Sequence, residues 1–408
     1  MAIIPQKNLF SWRQVEASSD LNRLKLVLEG IGDERLMWIL EEKRKGRRDD
    51  YPIRAVWNSV LAGIVYQHPG VESLRRELLR NGELRELCGP ELDSGLGDKA
   101  VPPKWVYTRF LKQLIKEREE IDRIFNNLIN ELKGLLPDIG EHLAIDSKAI
   151  KSHAVGKKKS EDSSDKETDW GVKTYRGKRE DGSLWEKVKS WFGYKLHLIV
   201  DTKYELPLGY EVTKASVSDT TKLLPMVEEI NRKHPEIIEV AKDIAADKGY
   251  DSEVNNRELY DRYGIKPVIG IRENWKDEKR SEIKTRPLYE DKADNIVYDN
   301  SGLVYCHCGK GDDLEKDYAA MAYMGFEADR LTLKYRCPAG AYGITCQNKG
   351  SCGEGSYGGY GRVVRIPIEK DRRMFTPIAR SSYAFERIYK GRTPVCRQAG
   401  RWRELTVV

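Results

Sequence analysis

Long apolar runs are missing from this chain of 408 residues. None of its apolar stretches is long enough to span a bilayer, and none has the form of a signal-peptide core, so neither a membrane-spanning nor a secreted protein is expected. Charged residues make up 33% of the sequence and the mean hydropathy is −0.64, which predicts a soluble, cytoplasmic protein. The length allows two or three domains with a large core.

Cysteine is not abundant, with seven residues, and in a protein of cytoplasmic character these argue against a disulfide framework. Five of them cluster in the sequence, at Cys306, Cys308, Cys337, Cys346 and Cys352. Their spacing, C-x-C followed by C-x8-C-x5-C, differs from the familiar zinc patterns, although folding could bring the sulfur atoms together. A zinc site and a set of reduced thiols that bind no metal therefore both remain open.

A strong excess of one charge is also absent, because 71 basic residues are balanced by 65 acidic ones. The distribution is uneven. Residues 147–196 contain 13 Lys or Arg against 8 Asp or Glu, and residues 362–403 contain 12 against 3. Such segments suit a phosphate backbone, and a solvated basic face without a partner is the alternative.

Helical periodicity dominates the chain from about residue 10 to residue 136. Residues 21–28, 34–47 and 109–136 carry apolar side chains at three- and four-residue spacing, which predicts three helices. Two further helices, 53–66 and 71–79, are separated by His-Pro-Gly, and the second carries the adjacent Arg75 and Arg76. This arrangement is compatible with a helix-turn-helix that docks on DNA, and an ordinary hairpin of a helical bundle is the alternative.

The pattern changes to alternating strands and helices after residue 142. We predict strands at 143–145, 194–201, 206–213, 244–246 and 266–271, and a loop over the polar tract 156–169. Helices are predicted at 220–231 and 253–263. Ser218 and Asp219 are predicted to cap the first helix, and Asp251 the second. This order of elements is that of a ribonuclease H-like fold, in which the first and fourth strands lie side by side.

Two carboxylates end predicted strands, Asp146 after 143–145 and Asp247 after 244–246. Carboxylates at the ends of adjacent strands can hold divalent metal for phosphoryl-transfer chemistry. The sequence therefore predicts a metal site that joins Asp146 and Asp247.

Three motifs together resemble bacterial insertion-sequence transposases of the DDE class: HLAIDSK at 142–148, WFGYKLH at 191–197 and ADKGYDS at 246–252. The resemblance covers roughly residues 50–395. It implies a ribonuclease H-like α/β fold, with Asp146 and Asp247 as the first two acidic residues on two Mg²⁺ ions. It also implies metal-dependent DNA nicking and strand transfer on double-stranded DNA with terminal inverted repeats, by a nucleoid-associated homodimer.

The resemblance suggests four regions. An all-α, DNA-binding region would occupy residues 1–136, and the first part of the catalytic core 137–295. A β-rich, Cys-containing insertion would occupy 296–368, with predicted strands at 297–298, 303–305, 331–335 and 363–368. The last part of the core and an aberrant tail would occupy 369–408.

Several basic and aromatic residues are candidates for DNA contact. These are Arg75, Arg76, Lys148, Lys195, Lys248 and Arg392, with Trp185 and Trp191 as possible stacking platforms. A local charge partner is the alternative for Lys248, and packing under a loop is the commoner role for the tryptophans. His197 lies in an apolar strand, where a hydrogen-bonded core histidine is favoured over a catalytic one.

The third acidic residue of the class does not match. The expected pattern is Tyr, two residues, Arg, three residues, Glu, and Tyr389 and Arg392 are followed by Cys396. A thiolate is a poor Mg²⁺ ligand. Glu386, on a helix predicted at 382–390, is the substitute, and an exposed helix acid is the alternative reading of that residue.

The final residues suggest an explanation for this mismatch. A reading frame shifted near Pro394 could encode the missing Glu, which makes the chain a truncated transposase by hypothesis. An inactive remnant that only binds DNA, and a ribonuclease H-like nuclease without strand transfer, are the alternatives to an active transposase.

Overall fold

The computed structural model describes residues 20–44, 51–89, 100–156, 165–179, 183–272, 285–288, 295–309, 317–348, 360–393 and 395. These residues fall into two compact units, one that ends at Pro137 and one that begins at Asp138. Among the described residues, no helix combines the length and apolar character needed to cross a membrane.

Helices make up the regular structure described in the first unit. They are α1 (Asp20–Gly30), α2 (Glu34–Glu42), α3 (Ile53–Val65), α4 (Val71–Arg80), α5 (Gly82–Cys88), α6 (Lys104–Leu114) and α7 (Arg118–Leu135). Helix α3 is apolar on nearly all sides and lies at the centre, where Trp57 and Leu61 pack in one cluster with Tyr107 of α6. The buried Asp33 carboxylate binds Arg54 and the Trp57 indole nitrogen, so this polar group is paired.

Two helix predictions in this unit had the wrong length. The predicted helix 34–47 ends at Glu42 in the structure. The predicted helix 109–136 is two helices, because a 3-10 turn at Ile115–Glu117 separates α6 from α7. Ile115 is 73% exposed, so this turn interrupts the buried face that the apolar spacing suggested.

A six-stranded mixed sheet forms the centre of the second unit. Its strands are β1 (His142–Lys151), β2 (Asp169–Lys178), β3 (Leu184–Asp201), β4 (Pro207–Lys214), β5 (Asp243–Ala246) and β6 (Lys266–Ile269). The order is β2-β3-β1-β5-β6, and β4 also pairs with β3. β1 is antiparallel to β3 and parallel to β5, which is parallel to β6. The strand that contains Asp146 and the strand that Asp247 follows are therefore neighbours, which confirms a mixed α/β fold. The prediction that Asp146 ends its strand was wrong, because β1 continues to Lys151 through its pairing with β3.

Helices pack beside this sheet. They are α8 (Leu223–Lys233), α9 (Pro235–Val240), α10 (Glu253–Tyr263) and the later α12 (Tyr383–Lys390). Helix α8 contacts β4, α10 contacts β6, and α12 contacts β5 and β6. The bounds of α10 confirm the helix predicted at 253–263.

Strand β2 and the first part of β3 were missed by the sequence reading. Residues 157–164 of the tract predicted as a loop at 156–169 lie outside the described residues, and its last residue, Asp169, begins β2. The first seven residues of β3 are all exposed, so neither face carries the buried side chains that identify a strand in a sequence.

Two small sheets follow in the later part of this unit. One has the order β10-β9-β8-β7 and the other β11-β12-β13. Their strands are β7 (Thr285–Pro287), β8 (Ile296–Asp299), β9 (Val304–His307), β10 (Tyr318–Ala320), β11 (Ala322–Glu327), β12 (Thr332–Arg336) and β13 (Val363–Pro367), with the short helix α11 (Pro338–Tyr342) after β12. Both sheets contribute to one apolar cluster, in which Ile296, Leu333 and Phe375 are buried. The four predicted strands of this region are present, and β7, β10 and β11 were not predicted.

Candidate active site

Asp146 and Asp247 follow paired residues of adjacent parallel strands. The register of β1 and β5 pairs Ala144 with Ala245 and Ile145 with Ala246. These four residues are fully buried, and the aspartates that come next are half-buried. Because parallel strands advance together, the two carboxylates lie at the same end of the β1–β5 pairing. We call this end of the paired strands the edge of the sheet.

Backbone amides hold both carboxylates. Asp146 Oδ1 accepts a hydrogen bond from the Ser147 amide at 2.8 Å, and Asp247 Oδ1 accepts one from the Gly249 amide at 2.7 Å. Asp247 thereby caps the 3-10 turn Lys248–Tyr250. A β-carbon on residue 249 would lie 2.6 Å from Asp247 Oδ1, so the bend that orients this carboxylate requires glycine.

Asp219 is a third carboxylate at this edge, and the sequence reading gave it a different role. Its Oδ2 accepts a hydrogen bond from Ser147 Oγ at 2.8 Å, and its Oδ1 pairs with Lys195 Nζ at 3.0 Å. A β-carbon on Gly249 would lie 3.2 Å from Asp219 Oδ2. Asp219 therefore lies beside both the residue that follows Asp146 and the turn that follows Asp247.

The predicted capping role of Ser218 and Asp219 was wrong. A 3-10 turn, Asp219–Thr221, precedes α8, and Ser218 makes no side-chain cap there. The Asp219 carboxylate is engaged by Lys195, 24 residues earlier in the chain. This carboxylate therefore binds a basic side chain of β3 and the Ser147 hydroxyl in place of a helix amide.

A buried polar network lies beneath the carboxylates. His197 is fully buried, and its ring nitrogens lie 3.0 Å from Thr213 Oγ1 and 3.4 Å from the Tyr250 hydroxyl. Burial, and then the negative charges of Asp219, Asp146 and Asp247, raises the pKa of Tyr250 well above its usual value. Tyr250 therefore stays neutral, and His197 has the hydrogen-bonded core position that its sequence context favoured.

Asp251 anchors the site turn to the later part of the chain. It pairs with Arg373 at 2.7 Å and accepts a hydrogen bond from the Arg272 amide at 2.8 Å. The prediction that Asp251 caps α10 was wrong, because the Ser252 side chain accepts the hydrogen bond from the Asn255 amide. Arg373 lies 122 residues further along the chain, so no local sequence pattern could have predicted this ion pair.

Helix α12 and the residues after it pack on the same strands. Val395 is buried in one cluster with Ala144, Leu198 and Ala245, and Ile388 of α12 packs against that cluster. The segment that should carry the third acidic residue therefore reaches β1 and β5 at Val395. Cys396 itself lies outside the described residues.

Glu386 is exposed on α12. Its side chain is 58% accessible, and its carboxylate pairs with Lys390 one turn later. Such surroundings are typical of an acidic residue on the surface of a helix. Among the described residues, no hydrogen bond links Glu386 to Asp146 or Asp247.

The two arginines of α4 differ in their surroundings. Arg75 Nε donates to the Pro102 carbonyl at 2.9 Å, and its guanidinium pairs with Glu72 at 3.1 Å. Arg76 is exposed. Arg75 therefore has a structural role within the helical unit, and Arg76 is the arginine of this pair that is accessible to a partner.

The other predicted DNA contacts occupy varied positions. Lys195 is 15% exposed and also donates to the Val217 carbonyl at 2.7 Å. Lys248 is exposed in the turn after Asp247, and Lys148 is half-buried. The Arg392 guanidinium lies 5.0 Å from the centre of the Tyr389 ring. Of these, Lys248 is exposed beside the paired carboxylates.

Four of the five clustered cysteines are described. Cys306 and Cys308 are buried, Cys346 packs against their cluster, and Cys337 is half-buried; Cys352 lies outside the described residues. Burial, and then the nearby Cys346 thiol, raises the pKa of Cys308 to about 11. Within the described residues no group of three or more His, Cys, Asp or Glu side chains is arranged to hold a metal ion.

The carboxylate pair nevertheless fits Mg²⁺. This ion usually keeps several waters and binds proteins through one or two carboxylates together with substrate phosphates, so it does not require a cage of three protein ligands. Asp146 and Asp247 supply oxygen ligands of that kind at one edge of the sheet.

Comparison with known proteins agrees with this site. Residues 138–312, which contain both aspartates, match the family of the transposase DDE domain. The resemblance of this part of the chain to insertion-sequence transposases of the DDE class is therefore confirmed. A curated protein of Burkholderia cepacia, described as a transposase for insertion sequence element IS402, is 41% identical over 85 residues. That alignment covers 20% of this chain and 38% of the relative. No solved structure matches the chain.

Proposed function

We propose that this protein is a transposase that nicks DNA and transfers strands with a divalent metal bound by Asp146 and Asp247. The observation that carries the proposal is the β1–β5 register, which brings these aspartates out at one edge of the sheet of a DDE domain. The order β4-β3-β1-β5-β6, with β5 and β6 parallel to β1, supports a ribonuclease H-like fold for this sheet.

The bound ion, Mg²⁺ in our proposal, would activate a water or a 3′-hydroxyl and stabilise the leaving oxygen at phosphorus. Asp146 and Asp247 would hold it, each oriented by a backbone amide. Lys195 and Ser147 bind both oxygens of Asp219, so Asp219 acts as a positioning residue that ties the two strand ends together. The buried Tyr250 and His197 keep water out beneath the carboxylates.

The third carboxylate stays part of the proposal. Glu386 is the substitute in this chain, and its ion pair with Lys390 would have to open before it could reach a metal. We propose double-stranded DNA with terminal inverted repeats as the substrate and a homodimer as the DNA-bound form. The α3–α4 hairpin, with Arg76 exposed, is the proposed docking element of the helical unit.

The experiment combines a gel shift with a nicking assay. The full chain is incubated with a duplex that carries the inverted repeats flanking its gene, with and without Mg²⁺. We expect a shifted complex in both conditions and nicking only with the metal. Binding without nicking would identify a DNA-binding remnant, and nicking without joining to a second duplex would identify a nuclease. Failure to bind any DNA would overturn the proposal.

A further inference from the structure

Strands β2 and β3 form a ribbon that extends beyond the main sheet. Residues 169–178 pair with residues 184–193, whereas β1 pairs with β3 only from Gly193 onward and β4 only from Tyr194 onward. Nine residues per strand beyond this point correspond to about 30 Å of two-stranded ribbon. At its base the Trp170 and Phe192 rings pack together, 5.5 Å between centres.

The two faces of the ribbon differ in chemistry. Directly paired residues of antiparallel strands share a face, and the face alternates with each pair. One face carries Lys173 opposite Lys189, with Lys187 at the next pair of the same face. The other carries Val172, Val188 and Leu184, which are 57–72% exposed. All three lysines are exposed, so this face is basic, whereas the register places Ser190 and the Arg176–Glu186 pair beside the apolar side chains of the other face.

Tryptophans border the basic face. Trp191 pairs with Gly171 and Trp185 with Gly177. A β-carbon on Gly171 would lie 2.4 Å from the Trp191 ring, and one on Gly177 would lie 2.5 Å from the Trp185 ring. Each indole therefore lies flat across the glycine of the opposite strand. Lys173, Lys187 and Lys189 stand between the two rings.

The register places Lys173 directly opposite Lys189, so two positive charges lie close together on this face. A polyanion that lies across the face would be attracted to them. A two-stranded ribbon also fits the major groove of B-DNA, which is about 12 Å wide. Strand β3 continues from Lys189 to Lys195, the partner of Asp219, over about 20 Å. The same strand thus connects the basic face to the metal-site edge.

We infer that this basic face, formed by Lys173, Lys187 and Lys189 between Trp185 and Trp191, binds the phosphate backbone of double-stranded DNA and positions it for the site. The inference rests on the proposed function, because the DNA bound there is the substrate of Asp146 and Asp247. Phosphate contacts fix the register and orientation of a duplex and carry no sequence information of their own. The ribbon is therefore a positioning surface, whereas sequence recognition belongs to other elements.

The test replaces Lys173, Lys187 and Lys189 together by Gln in the full chain. Binding of a fluorescent duplex is measured by anisotropy from 50 to 300 mM NaCl. Three lost phosphate contacts should lower the slope of log K against log salt by about 2.7 and weaken binding roughly a hundredfold at 0.1 M salt. The triple replacement by Arg keeps the charges and should keep the slope.

A matched control removes three lysines elsewhere on the same unit. Lys242, Lys266 and Lys370 are exposed and lie outside the ribbon, so their replacement by Gln changes the net charge equally. We expect this control to alter the slope by less than about 0.5. A thermal unfolding curve of each variant checks that it is folded before its DNA binding is compared.

The outcomes separate the two proposals. An unchanged slope in the ribbon variant, an equal loss in the control, or a change in oligomeric state without a change in DNA binding would overturn the ribbon inference. Wild-type protein that binds and nicks DNA in any of these cases leaves the proposed function standing. Wild-type protein that binds no DNA overturns both.

Discussion

Strand β3 has two halves with opposite surroundings. From Leu184 to Ser190 every residue is exposed and β2 is the paired neighbour, whereas from Leu196 to Asp201 every residue is buried between β1 and β4. The buried half pairs with the part of β1 that carries Asp146. The exposed half contributes little to a core, and its lysines Lys187 and Lys189 are accessible to solvent. One continuous strand can therefore provide both stability and a binding surface, and its neighbours decide which.

The largest expected effect belongs to the metal-site edge next to the buried half. If the wild-type chain nicks DNA, Asp247→Asn should lower the nicking rate by more than about a hundredfold. Mutation of a residue that only hydrogen-bonds to a metal ligand already lowers activity by about 10- to 100-fold. DNA affinity and its salt slope should stay at the wild-type values, which a gel shift measures. Retained nicking would remove Asp247 from the site.

A pair of truncations compares the two halves of β3 directly. Leu198→Ala removes a side chain buried among Ala144, Val200 and Ala245 and should lower the free energy of unfolding by about 2–5 kcal/mol. Val188→Ala, on the ribbon, should change it by less than about 0.5 kcal/mol. Urea denaturation measures both. Equal losses would show that the ribbon packs against a further part of the protein.

Asp219→Asn tests the link between β3 and the proposed metal ligands Asp146 and Asp247. The amide keeps the shape and loses the charge that pairs with Lys195, so Mn²⁺ affinity should fall by about 10- to 100-fold. Tb³⁺ or Mn²⁺ titration gives this value without any nicking assay. A purely structural role would lower the melting temperature and leave the metal affinity unchanged, whereas Asp219→Glu should restore part of the affinity.

The smallest effect concerns pH and His197. Burial lowers the pKa of this imidazole; the charges of Asp219 and Glu211 raise it in part, and those of Lys195 and Lys222 oppose them. The unfolded chain therefore binds a proton more readily, so stability is full above about pH 6.5 and falls as pH drops below that value. The slope is at most about 1.4 kcal/mol per pH unit. His197→Gln should make the urea midpoint depend less on pH between 7.5 and 5.5. An unchanged pH dependence would show that another group causes it.

Patterns of buried side chains were readable in the sequence where burial was complete. The apolar runs before Asp146 and Asp247 predicted the two strands, and the apolar spacing of 253–263 predicted α10. The exposed strand β2 and the short strands β7, β10 and β11 were missed. A strand of three residues, or one exposed on both faces, shows too little alternation to be distinguished from a loop.

Capping signals were misleading for a different reason. Ser, Asp and Asn before a helix are common caps, so Asp219 and Asp251 were assigned to their nearest helices. Both carboxylates instead bind basic side chains brought close by the fold, Lys195 and Arg373. A charged partner far along the chain leaves no local pattern, so a capping pattern in the sequence gives no sign of it.

The sequence by itself determined which residues could carry the chemistry: two aspartates that end apolar strands, and motifs shared with the DDE class. Only the tertiary structure decided their arrangement. The register of β1 against β5, the position of Asp219 between the two strand ends and the basic face of the ribbon all depend on pairing between segments far apart in the chain. Local propensity acts over a few residues, whereas strand register is set by which faces are buried together.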